Sequence, residues 1–275
     1  MTEALATFEG IAYREAGPPE GRTVLMLHGY PESSFMWRAP AAAAAEEGWR
    51  AVAPDLPGFG DSPPDPPGTW EHQVEHVQRL VEGLGLAPVV LVAHDWGGLI
   101  GLRWACEHPD SVRALVISAS GFFPDGKWHG MARGLREEDT GEQLVEDMTR
   151  ANFAGLMAWA SRGMDDETID EFWKCFADEE RRRAQLELYR SGDFEKIAPY
   201  EGKLAALGAP TLLLWGKEDR FAPLAGGRRF NAEIPGSELV VLEDTGHFVW
   251  EDEPERCSRE LRRFLESLQR DPTEL

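Results

Sequence analysis

The chain has 275 residues, 42% of them hydrophobic, which suits one large α/β domain with an insertion or two small domains and excludes a disordered chain. Its 49 acidic residues against 28 basic ones give a formal charge of −21. Such a surface repels phosphate backbones and anionic lipid, so neither a nucleic-acid nor a membrane partner is expected. Cys106, Cys175 and Cys257 are odd in number and widely spaced. That usage fits a reducing compartment, and no Cys/His spacing suggests a metal. The opening MTEALATFEG has no basic or apolar leader character, and no apolar run reaches spanning length. The expected home is the cytoplasm, with no metal and no cofactor implied.

In chain order, residues 5–14 have strand character, and Thr23–Leu27 (TVLML) is a continuous apolar run of the kind a strand buried on both faces shows. A helix is expected over 34–47, then a strand at 51–53, a stiff Pro-rich loop, and a helix over Trp70–Gly83. Strands follow at 89–93, Val112–Ser118, 211–215 and 239–242, with helices at 97–107, 224–234 and 253–268. Strands alternating with helices predict a parallel sheet with right-handed crossovers. From 121 to 206 no strand pattern occurs, and the segment is charged, helical in composition and rich in Trp and Phe. It is read as a helical cap (121–206) inserted into a core built from 1–120 and 207–275, over the carboxyl ends of the strands where ligands bind.

Three strand ends carry chemistry. VLVAHDWGG (90–98) runs a buried strand through a small-residue turn into a helix, the setting in which a nucleophile sits on a strained elbow, with Asp95 where serine is usual. The bland alternative is an N-cap aspartate. His28-Gly29-Tyr30-Pro31 follows the TVLML strand, and the backbone N–H groups of Tyr30 and Trp96 are candidates for an oxyanion hole, with Pro31 able to fix the turn through a cis bond. Asp219, with Glu218 as the alternative, ends the TLLLW strand, and His247 follows the last strand. The order nucleophile, acid, histidine is that of the nucleophile-elbow fold.

HGYPESSFMW, DLPGFGDS (55–62) and AHDWGG together resemble the α/β-hydrolase superfamily over nearly the whole chain, and within it the branch of epoxide hydrolases and haloalkane dehalogenases. The resemblance implies an α/β-hydrolase fold, a mostly parallel sheet flanked by helices with an inserted helical cap. It implies that the Asp95 carboxylate attacks an sp³ carbon, and that His247, oriented by Asp219, activates the water that cleaves the resulting ester. Carboxylate attack needs no deprotonation, so the histidine is free for the second step. The implied partners are a small apolar electrophile and water, for a monomer or homodimer.

Within the branch, Leu188-Tyr189-Arg190-Ser191 resembles the Tyr-Arg motif of epoxide hydrolases, and Tyr189 is the candidate acid for the developing alkoxide. The usual second cap tyrosine is missing, and His129 or a tryptophan is the candidate substitute. The alternative is a dehalogenase acting on haloalkanes or haloacids, in which the Trp96 indole and Trp128, Trp159 or Trp173 hold the halide. The Tyr30 position, where many haloalkane dehalogenases carry asparagine, argues for the epoxide. A non-catalytic receptor of the same fold is the remaining alternative, against which the ordered Asp95, Asp219 and His247 argue.

Overall fold

A computed structural model describes residues 5–269. Eight strands form one sheet in the order β1-β2-β4-β3-β5-β6-β7-β8. They are β1 (Ala6–Phe8), β2 (Ile11–Ala16), β3 (Thr23–Leu27), β4 (Arg50–Pro54), β5 (Val89–His94), β6 (Val112–Ser118), β7 (Thr211–Gly216) and β8 (Glu238–Leu242). From β4 onward across the sheet every pair is parallel. The stretch expected as one strand at 5–14 is a tight hairpin instead. Phe8 pairs with Ile11, and Glu9 and Gly10 both have positive φ (49° and 85°), the backbone of a two-residue primed turn. The Glu-Gly pair lacks the Asn-Gly or Asp-Gly signature, which is why the turn escapes a reading by composition.

The core is the pair of continuous apolar runs. Val24–Leu27 and Val89–Ala93 have no accessible surface, and each such side chain contributes about 1.5–3 kcal/mol of burial. Helices α1 (Arg38–Glu46), α2 (Trp70–Gly83) and α3 (Trp96–Glu107) lie between the first strands. Between β6 and β7 come α4 (Gly130–Arg136), α5 (Thr140–Glu146), α6 (Arg150–Ala160), α7 (Asp166–Trp173), α8 (Glu179–Ser191) and α9 (Lys203–Ala206). Among the described residues no strand interrupts them. The chain closes with α10 (Leu224–Glu233), α11 (Val249–Asp252) and α12 (Pro254–Gln269), and α12 packs on α1 while α3 packs on α2. Among the described residues no helix is long and apolar enough to cross a membrane.

This topology positions the chemistry. Parallel strands β3, β5, β7 and β8 deliver four loops to one edge of the sheet, and α4, α5, α6 and α8 supply the apolar wall above them.

Candidate active site

The central strand β5 is buried along its whole length and passes directly into α3 through Asp95. Asp95 sits at φ 48°, ψ −117°, a conformation costly for a residue with a Cβ, and its side chain makes no cap bond to the helix. The N-cap alternative is therefore set aside. The elbow is tight because glycine permits it: a Cβ on Gly97 would stand 2.2 Å from the Leu27 carbonyl oxygen and 2.5 Å from that of His28. Backbone of α3 thus rests on backbone of the β3 loop. Ser120 Oγ and the Gly98 N–H, at 2.8 and 2.9 Å, bond the Asp95 carbonyl and close the turn.

The β3 loop supplies a backbone donor to the Asp95 carboxylate. The Tyr30 backbone N–H donates to Asp95 Oδ1 at 2.8 Å, and the Tyr30–Pro31 peptide is cis. The loop is braced by His28, whose Nδ1–H donates to the Gly29 carbonyl (2.8 Å) while its Nε2 accepts from the Leu56 N–H (2.9 Å). The Trp96 backbone N–H, the other expected donor, makes no hydrogen bond to the Asp95 carboxylate here. Its place at the first turn of α3 still leaves that N–H without an intrahelical acceptor.

His247 and Asp219 meet from β8 and β7. His247 Nδ1 donates to Asp219 Oδ2 at 2.9 Å, and its Nε2 lies 3.4 Å from Asp95 Oδ2. Asp219 Oδ1 accepts the N–H groups of Phe221 and Ala222, both at 2.8 Å, so that carboxylate is fully used and cannot rotate. Gly216 sets this spacing, since a Cβ there would lie 1.9 Å from the Gly246 carbonyl oxygen. Glu218, the alternative acid, is exposed and points to Arg162 at 4.0 Å.

Electrostatics follow from the geometry. Burial pushes the Asp95 carboxyl up, but the His247 bond and charge, His94 and the Tyr30 N–H outweigh it and hold it below the ordinary range. Burial pulls the His247 imidazole down, and the charges and bonds of Asp219 and Asp95 outweigh that and raise it well above its usual value. Burial, reinforced by the Asp95 charge, raises Tyr189 well above the ordinary phenol, so at neutral pH it is a donor. His94, sealed beneath the site with its ring 4.9 Å from that of His247, is pushed down to about 3 by burial.

A largely apolar pocket, about 680 Å³ of space counting its open mouth, opens onto Asp95 and His247, walled by Leu135, Val145, Phe153 and Met157 of the 121–206 segment. The Asp95 side chain keeps 22% of its surface, while the His247 side chain keeps 4%. Tyr30, His129, Tyr189 and Phe221 line it too. Tyr189 is 2% exposed, edge-on to Tyr30 at 4.9 Å and to Trp96 at 5.2 Å. Arg136 donates to the backbone carbonyls of Tyr189 and Gly192, pinning the end of α8. A second hollow of about 820 Å³ shares Asp95, His129 and Tyr189 and adds Trp96 and Trp128.

The four tryptophans divide. The Trp96 indole N–H is buried beside the Tyr189 hydroxyl, close enough to stabilise its oxygen but short of full hydrogen-bond geometry, and Trp128 stacks on the Trp96 ring at 5.4 Å and 22°. Trp173 stacks instead on Phe176 at 5.2 Å and lines neither hollow. Trp159 is 58% exposed, with Arg220 over its ring. Trp173 thus lines no hollow that reaches Asp95, whereas Trp159 lines a third hollow together with Phe221 and His247. His129, in contrast, lies in both hollows that reach Asp95, and its Nδ1 caps α4 by accepting from the Ala132 N–H at 3.4 Å, which leaves the proton on Nε2. Phe221, whose ring is 5.0 Å from His129 and 5.2 Å from His247, carried no signal in the sequence beyond its place two residues after Asp219. Glu32 is the other residue not foreseen: fully buried, it accepts from the Gly29 N–H at 3.0 Å and lies 3.5 Å from His94.

Known proteins resemble this arrangement. A family model described as alpha/beta hydrolase fold matches residues 22–254. The chain is 32% identical to a haloalkane dehalogenase of Mycobacterium marinum, over 90% of this chain and 86% of that one. It is 29% identical to a cis-3-alkyl-4-alkyloxetan-2-one decarboxylase of Xanthomonas campestris pv. campestris, over 93% and 92% of the two chains. It is 27% identical to epoxide hydrolase 3 of Siraitia grosvenorii, over 93% and 95%.

Proposed function

The chain belongs to the α/β hydrolase fold family and is a hydrolase, and from that premise we propose that it converts epoxides to vicinal diols through an ester on Asp95. The observation that carries this reading is Tyr189, a buried phenol facing the same apolar cavity as the low-lying Asp95 carboxylate. Asp95 attacks an epoxide carbon, the C–O bond breaks, and Tyr189 gives its proton to the leaving oxygen, a transfer worth roughly 10²–10⁴ in rate. His129, which lines the cavity and carries its proton on Nε2, is the second donor in place of a tyrosine.

Ester formation then changes the histidine. Esterified Asp95 has no charge, so one of the two carboxylates that hold His247 protonated disappears. His247 then passes its proton to the phenolate that ring opening leaves on Tyr189 and becomes a base at the step that needs one. It takes a proton from water as the oxygen adds to the ester carbonyl, and the Tyr30 N–H supports the oxyanion. Collapse passes the proton of the added hydroxyl to the departing alkoxide, which frees the diol and the Asp95 carboxylate and leaves His247 protonated, as it began. Asp219 orients the ring throughout. Residues 121–206 act as the cap that shapes the substrate, with 1–120 and 207–275 as the core. The setting is a cytoplasmic monomer or homodimer acting on a small apolar electrophile.

A second reading is dehalogenation of haloalkanes, favoured by the Trp96 indole N–H beside Asp95, a donor that no well-formed hydrogen bond occupies and that suits a departing halide. The two separate in one assay: diol formed from styrene oxide against bromide released from bromoalkanes. A cis-3,4-dialkyloxetan-2-one is the third arm, because one relative is named for decarboxylating such a ring. Fast bromide release with every epoxide untouched would overturn the epoxide reading, and turnover of the oxetanone alone would overturn both.

A further inference from the structure

A second cluster of ligating side chains lies away from the cavity, on α2 and the Pro-rich loop before it. His72 and His76 are four residues apart and share one helix face, with ring centroids 4.5 Å apart. Asp65 reaches them from the loop: its Oδ2 is 3.0 Å from His76 Nε2 and 3.8 Å from His72 Nε2. One ligand atom from each of the three residues falls within 4.8 Å of the others. We propose that Asp65, His72 and His76 bind one late first-row divalent metal ion, zinc fitting best, with water completing the shell.

The donor set carries the choice of ion. Two imidazoles and one carboxylate suit zinc, cobalt, nickel or copper, whereas calcium and magnesium call for oxygen alone. A second observation points the same way. The His72 Nδ1–H donates to the Pro67 carbonyl at 2.9 Å, so its Nε2 faces Asp65 with a free lone pair. Ligating histidines are held in this manner, with the remote nitrogen fixed by a carbonyl. Tetrahedral donors on zinc stand roughly 3.3 Å apart, and the half-exposed Asp65 side chain closes the remaining distance.

The competing account is a plain surface network with Arg79 as its cation. Its guanidinium lies 2.6 Å from His76 Nδ1 and 3.5 Å from Asp65, on a side chain 46% exposed. On binding, Arg79 swings into water and the His76 proton moves from Nε2 to Nδ1. Arg79 is therefore a competitor of the metal, which gives the proposal an unusual signature. The ion would also fix the loop on which the cap rests. The Gly68 N–H bonds Glu187 and the Trp70 N–H bonds Ser191 Oγ, both on α8, the helix that carries Tyr189. No Cys/His spacing in the sequence points to this site, because HQVEH gains its third ligand only from the register of α2 relative to Asp65.

The test uses the full chain without an affinity tag, stripped with EDTA and dialysed, then titrated calorimetrically with ZnCl₂ and CoCl₂. One equivalent is expected to bind. With free zinc at a hundred-fold excess over its dissociation constant, Tm rises by roughly 5 °C or more. His72→Ala and His76→Ala weaken binding at least ten-fold, Asp65→Asn weakens it, and Arg79→Ala tightens it. Should a histidine variant fail to fold, the exposed positions Asp65 and Arg79 decide the matter. The proposal is overturned if no equivalent binds, if binding survives the Asp65 and histidine changes, if Arg79→Ala weakens it, or if calcium binds as well as zinc.

Discussion

Asp219→Asn is the sharpest test of the two-step chemistry. The asparagine is isosteric, and its Oδ1 can keep the N–H groups of Phe221 and Ala222 that Asp219 Oδ1 holds at 2.8 Å. The folded site is therefore retained. What changes is the 2.9 Å contact with His247 Nδ1, where an NH₂ donor replaces the acceptor oxygen. His247 must then place its proton on Nε2, the nitrogen that has to take one from water. Neutralising a triad acid by this route costs about 10⁴ in turnover, which is about 5.4 kcal/mol of barrier. The loss falls on ester hydrolysis alone, because attack by Asp95 involves no proton of His247. Mixing the variant with one equivalent of styrene oxide should therefore consume the substrate in a burst and leave a substrate-sized adduct on the Asp95 peptide. Rapid quench and intact-mass spectrometry read both. Turnover within ten-fold of wild type, or a dead variant that forms no adduct, would refute the reasoning.

The other outcomes follow from the same geometry. His247→Gln should trap the same adduct, since it removes the base and keeps the nucleophile, and an adduct-free variant with normal turnover would exclude Asp95 chemistry. Tyr189→Phe should lower epoxide turnover by roughly 10²-fold or more at nearly unchanged Tm, whereas for a dehalogenase Trp96→Phe is the damaging change, read as bromide release. As pH falls, Asp95 stays ionised because its carboxyl lies low, while in the ester state His247, left with Asp219 alone, keeps its proton and is lost as a base. Wild-type enzyme should thus accumulate ester on the acid limb, and a falling rate without adduct would contradict the scheme. His94 takes up no proton in the fold until about pH 3, whereas its unfolded form does so from about 6.5. Its contribution to stability is complete above 6.5 and is lost as pH falls below it. At pH 4.5 the loss is roughly 2–3 kcal/mol, so urea unfolding of His94→Asn should depend on pH that much less than wild type, and equal slopes would reject the assignment.

The fold was legible wherever burial dictated residue type. TVLML and VVLVA can be little else than strands buried on both faces, and Trp70–Gly83 carries its helix limits in its apolar period and a Thr69 cap. Asp95, Asp219 and His247 were legible because strand ends in a parallel sheet all face one edge, so chain order implies proximity. The cap was legible as helices but not as a surface. Whether a tryptophan faces the cavity depends on the rotation of short helices about their own axes, and composition is silent on it. Trp128 turns inward, while Trp173 fills the gap between Phe153 and Phe176. A local motif singles out Tyr189, the missing second tyrosine leaves His129 or a tryptophan open as substitute, and Phe221 carries no signal of either kind.

The two glycine contacts at the strand ends have a consequence for how this site tolerates heat. Gly97 against the Leu27 carbonyl and Gly216 against the Gly246 carbonyl are places where main chain touches main chain with no side chain between. Such a junction is set by steep repulsion and not by a balance of soft attractions. It has no rotamers to sample and no charge for salt to screen. The spacing of the three reacting groups should therefore hold almost constant on warming until the strands themselves part. Activity then ends with the sheet in one event, and does not fade ahead of it as it does in a site held together by flexible side chains.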